Sequence, residues 1–148
     1  LLKSFLSYDG AEMEAPVKGS YSALICYYLT FVDEVFAKEQ YDLLKRYFIQ
    51  QNPFTGIREY QNRSCWLGMD IDSGPILFNL SPSGTAFSIG PATYFNDSEF
   101  RTQLLRTAEI GGSTVRGWNT NHYLLANLAI VGEAITLAMR TSVPWFTE

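Results

Sequence analysis

Asp70-Ile71-Asp72-Ser73-Gly74-Pro75 opens the stretch whose reading decides the fold. From Ser73 to Asn96 the chain carries no Asp, Glu, Lys, Arg or His. Within that stretch Pro82 suits the first turn of a helix, and residues 83–95 read as a helix buried on all sides. Two carboxylates, two positions apart, thus stand where charge stops and a buried element begins.

The same contrast recurs on both sides. Residues 20–36 read as a helix that is charge-free from Ala23 to Val32, which marks it as buried all round. Residues 38–50 read as amphipathic, with Leu43, Leu44, Tyr47 and Phe48 on one face and Lys38, Asp42, Lys45 and Arg46 on the other. Pro53 and Gly56 end that helix. Residues 57–69 are irregular, with short extended pieces. Ser98 is the expected N-cap of an amphipathic helix reaching Glu109, closed by Gly111-Gly112. Residues 113–117 read as a short strand, and 119–140 as a final, nearly charge-free helix. Residues 2–8 read as the end of a short helix.

Buried and amphipathic helices therefore alternate as hairpins in one all-α domain spanning residues 1–148. Their simplest packing is two layers, buried helices inside and amphipathic ones outside. The longer loops fall at one end, and they hold Glu12, Glu14, Asp70, Asp72 and residues 118–122.

This alternation resembles about half of an (α/α) toroid, the six-hairpin glycosidase-like architecture. The Asp70-x-Asp72-Ser-Gly-Pro segment, followed by Ser81-Pro82-Ser83-Gly84-Thr85-Ala86-Phe87, is similar to uncharacterised bacterial proteins related to linalool dehydratase-isomerase. A half ring leaves apolar inner helices at its open edges. A second copy of the chain, or a further segment of it, would cover them.

Composition bounds the chemistry. Ten Phe, nine Tyr and three Trp make 15% of the 148 residues, and such side chains fill cores or line apolar and sugar-binding pockets. The net charge is −4, and only Lys45-Arg46 are adjacent basic residues, a pattern that argues against nucleic acid as a partner. Cys26 and Cys65 lack metal-ligand spacing and read as free thiols. No cofactor is expected, and no metal, because the ligands at hand are one His and loop carboxylates. The start, Leu1-Leu2-Lys3, has neither an initiator Met nor a signal-peptide pattern and reads as a processed or excised piece. Pro75, Pro82, Pro91 and Glu133 break the apolar stretches. A soluble domain, periplasmic or cytoplasmic, is therefore expected, with any membrane segment lying outside these residues.

Asp70 and Asp72 are the candidate catalytic pair. On an extended loop, residues two apart point the same way, and close carboxylates split their pKa values into an acid and a base. The alternative is structural: both bond to backbone amides of the loop and of a helix N-terminus. Arg58 or Arg63 as their counter-charge would favour that alternative. His122, the single histidine, Tyr21, Trp66 and Trp118 are candidates to position substrate, and Glu14 to supply a further carboxylate. Glu133 needs a partner or faces a cavity. No serine-hydrolase elbow, Cys-His pairing or phosphate loop is present.

Three functions fit these residues. The first is an acid/base enzyme, glycosidase-like or dehydratase-like, acting on a carbohydrate or small hydroxylated substrate. The second is a non-catalytic module that binds a glycan or a protein. The third is a structural fragment that completes its ring with another segment. The first predicts a deep pocket with Asp70 or Asp72 in it, the second a shallow aromatic groove, and the third capped aspartates.

Overall fold

The computed structural model describes residues 16–71, 73–111, 114–116, 121–123 and 130–141. In chain order these form α1 (Gly19–Leu29), α2 (Glu34–Phe48), β1 (Ile49–Gln50), β2 (Gly56–Ile57), β3 (Leu67–Asp70), β4 (Gly74–Leu77), α3 (Pro82–Phe87), α4 (Ile89–Tyr94), α5 (Ser98–Gly111), β5 (Thr114–Arg116), β6 (Asn121–Tyr123) and α6 (Ile130–Arg140). The strands pair antiparallel as β1–β2, β3–β4 and β5–β6.

The chain is mixed α/β, so the all-α half toroid does not hold. The reason is local. Leu67, Met69 and Ile71 alternate with Gly68 and Asp70, which is strand periodicity. The chain after Asp70 turns back as a hairpin rather than leading into a helix: Gly74, at φ 84°, opens β4 and pairs with Asp70. The expected helix 119–140 is likewise shorter. Residues 121–123 of it lie in β6, paired with β5, and the helix itself runs Ile130–Arg140.

The other elements follow from named side chains. Asp33 caps α2, its Oδ1 accepting from Phe36 N at 2.9 Å. Ala37, Tyr41, Leu44 and Phe48 form the buried stripe of α2. Ser81 caps α3 through Gly84 N at 3.1 Å, with Pro82 in the first turn. The helix expected over 83–95 breaks at Ser88 into α3 and α4, because Pro91 has no N–H to give to Phe87 and its ring crowds that carbonyl. Asp97, rather than Ser98, caps α5 by accepting from Phe100 N at 3.3 Å.

Residues 20–36 are not buried all round either. Helix α1 ends at Leu29 and buries only its small-residue edge, Gly19, Ser20, Ser22, Ala23 and Cys26. Tyr28, Val32 and Val35 are exposed. Small residues let the backbones of α1 and α3 touch: a Cβ on Gly84 would lie 3.0 Å from Ser20 Cα. The core is built from Ala23, Cys26, Tyr41, Leu44, Phe48, Ile57, Ile89, Phe100 and Leu104. Burial pushes the Cys26 thiol up to about 12, so it packs as a small hydrophobe.

Among the described residues, no helix is long and apolar enough to cross a membrane. The expected helix over 2–8 and the loop carboxylates Glu12 and Glu14 lie outside the described residues.

Candidate functional site

The extended segment 56–60 threads the middle of the fold. It pairs with Lys18 on one side through Tyr60 and with Leu80 on the other through Arg58. Alternation along it sends Ile57 and Glu59 into the interior. Two polar groupings result.

The first is interior. Glu59 is 0% exposed. Its Oε1 accepts from Ser20 Oγ at 2.9 Å and its Oε2 from Ser20 N at 3.3 Å. Burial raises the Glu59 carboxyl above its ordinary range, and the hydroxyls of Ser20, Ser81 and Ser73 lower it without cancelling that rise. Asp70, at the end of β3, is 9% exposed. Lys18 Nζ donates to its Oδ1 at 2.9 Å and to its Oδ2 at 3.0 Å. Tyr60 OH donates to Oδ2 at 2.6 Å, and Ser73 N to Oδ1 at 3.2 Å, which closes the hairpin turn. The bond to Asp70 raises the Tyr60 phenol above its ordinary value, with burial adding to the effect. Lys18, not Arg58 or Arg63, is thus the counter-charge of Asp70.

The second grouping is an open pocket of about 320 Å³. Arg58 and Arg63 line it, with the amides of Gln50, Gln61, Asn62 and Asn79. Ser64 completes the wall, and no carboxylate among the described residues contributes to it. Arg58 Nη2 donates to Tyr47 O at 2.8 Å. The Arg63 guanidinium lies 5.3 Å from the Tyr60 ring centroid, so Tyr60 stands between the pocket and Asp70.

Beside the pocket is an aromatic cluster. The link from Leu77 to Leu80 is a two-residue turn whose central residues, Phe78 and Asn79, have φ of 55° and 67°. Both central residues of a type I′ turn need positive φ. Asn tolerates it, whereas a bulky aromatic there is strained. Gln50 Nε2, from the pocket wall, holds Phe78 O at 2.9 Å. The Phe78 ring meets Trp66 edge-on at 5.0 Å between centroids and Phe54 at 5.5 Å. Trp66 is 58% exposed.

Of the residues singled out in the sequence, the structure brings Asp70 and Tyr21 together at Lys18, whose Nζ lies 5.8 Å from the Tyr21 ring centroid. Trp66 is apart from them, next to β3 at its Leu67 end and against Phe78. His122 lies in β6, paired with Val115, and Glu133 in α6. Asp72, Trp118 and Glu14 lie outside the described residues. Lys18, Glu59 and Tyr60 escaped sequence reading. The signal that could have found them is the alternation Ile57-Arg58-Glu59-Tyr60, which places a carboxylate beside Ile57 on the inner face. Among the described residues, no group of three or more His, Cys, Asp or Glu is placed to hold a metal ion. No protein-family model matches the chain, and no curated protein matches it.

Proposed function

We propose that the protein is a non-catalytic binding module whose ligand is a carbohydrate. The observation that carries this reading is the polar pocket beside an exposed aromatic cluster. Asn and Gln amides offer both donors and acceptors, as sugar hydroxyls require. Trp66 and Phe78 supply the flat apolar surface on which a pyranose ring stacks. The strain at Phe78 supports the same reading, since strained positions persist where a side chain is needed for more than the turn.

An acid/base enzyme is the second reading, and the raised pKa of Glu59 favours it. Its geometry is less suited. Glu59 is sealed from solvent, and both oxygens of Asp70 accept from Lys18, which favours the ionised form over a proton donor.

The test is retention of the full chain on a panel of immobilised oligosaccharides. Binding by some members, weakened at least fivefold by Trp66→Ala, is expected. Absence of binding to every member, or binding indifferent to Trp66→Ala, overturns the module reading.

A further inference from the structure

We infer that the pocket takes an anionic sugar, with the carboxylate of a uronic acid residue held between Arg58 and Arg63; this rests on the carbohydrate-binding reading. Two guanidinium groups line one wall system with no acidic residue among the described residues, in a chain whose net charge is −4. Such a local reversal of sign draws an anion rather than a neutral ligand.

The two arginines are set up differently, and both leave donors over. Arg58 is anchored by one nitrogen to Tyr47 O. Its Nε is closed to bulk water and has no hydrogen-bond partner among the described residues. A donor closed to water is closed to a ligand in the open pocket too, so the terminal Nη groups of Arg58 are the ones that meet it. Arg63 rests against the Tyr60 ring. Among the described residues no hydrogen bond occupies its guanidinium N–H groups, which leaves them for an acceptor. Planar forks of this kind match the two oxygens of a carboxylate. The neutral amides of Gln50, Gln61, Asn62 and Asn79 then meet ring hydroxyls.

The same pocket reaches the interior cluster through one side chain. Arg63 lies against the Tyr60 ring, and Tyr60 donates to Asp70. Asp70 and Lys18 therefore fix the ring against which Arg63 is positioned.

The experiment titrates the full chain with galacturonate, glucuronate and mannuronate oligomers, each beside its own methyl ester, by calorimetry. The ester keeps the sugar and removes the charge. At least one acid is expected to bind roughly tenfold tighter than its ester, with the advantage shrinking as salt rises. Arg63→Gln is expected to narrow the ratio of acid to ester affinity, and Arg58→Lys, which keeps charge but loses the fork, to narrow it as well. Equal affinity for acid and ester overturns the anionic proposal while leaving the carbohydrate reading standing. So does an acid preference that neither arginine variant changes. Binding to no oligomer, acid, ester or neutral, overturns both.

Discussion

Lys18 Nζ reaches both oxygens of Asp70, at 2.9 Å and 3.0 Å, across 52 positions of sequence. The pair ties the entrance of α1 to the β3–β4 hairpin, and both side chains are about nine-tenths buried. Removing one partner takes the opposite charge away from a group that stays nearly buried, which costs up to about 3–5 kcal/mol. Lys18→Met and Asp70→Asn are each expected to lose stability on that scale. The double variant is expected to lose less than their sum. Urea unfolding of the four proteins checks it, and strict additivity would show that the pair is not coupled.

Glu59 makes stability depend on pH in a direction opposite to most carboxylates. Its folded-state pKa is raised above the ordinary 4.5, so the folded chain binds a proton that the unfolded chain has already released. Stability from this group is fully present below the unfolded value and is lost as pH rises toward the folded one. The slope is at most about 1.4 kcal/mol per pH unit for one proton. Glu59→Gln copies the protonated shape and should remove the slope. Denaturation midpoints of both proteins between pH 4 and 8 provide the comparison; parallel curves would refute the assignment.

Asp97 has the ordinary sign. Burial raises its pKa, but the hydrogen bonds from Lys45, Tyr41 OH and Phe100 N outweigh that and hold it below 3.8. Its contribution is present above the unfolded value and is lost as pH falls through the folded one. Asp97→Asn should cost about 1–3 kcal/mol at pH 7 and progressively less toward pH 2. Thermal unfolding across that range measures the convergence.

Gly19 is the tightest backbone contact of the site. A Cβ there would lie 2.0 Å from Arg58 O and 2.7 Å from Ile57 Cγ2. Neither carbonyl nor buried isoleucine can move without shifting segment 56–60. Gly19→Ala should therefore destabilise by more than about 2 kcal/mol, despite the helix propensity gained. Chemical denaturation gives the value, and a loss below 1 kcal/mol would mean the segment yields easily.

How much of this was legible depended on which signal each residue carried. The amphipathic character of α2 and α5 was readable; of the expected α2 face Leu44 and Phe48 are buried, while Leu43 and Tyr47 are half-buried. The β3–β4 hairpin was not. Its charge-free second strand has the composition of a buried helix start, and only the period-2 run Leu67-Met69-Ile71 opposed that. Asp70 was singled out in the sequence, and the residues that surround it were not. Lys18 and Tyr60 come from segments whose approach depends on glycine contacts and isolated bridges, which leave no periodic trace. The polar pocket was invisible for the same reason: its walls come from β1, segment 58–64 and a two-residue turn.

Phe78 separates stability from binding most cleanly. At φ 55° it occupies a turn position that Asn or Gly fills with less strain. Relief of that strain is worth about 1 kcal/mol, while loss of the contacts to Trp66 and Phe54 costs about 0.5–1.5 kcal/mol per aromatic pair. Phe78→Asn should therefore cost no more than about 2 kcal/mol of stability. Ligand binding should fall at least fivefold, because Trp66 loses the ring that holds it edge-on. Unfolding and oligosaccharide titration of the same variant decide it. Unchanged affinity would sever the aromatic cluster from the site, and a large stability loss would make Phe78 a packing residue instead.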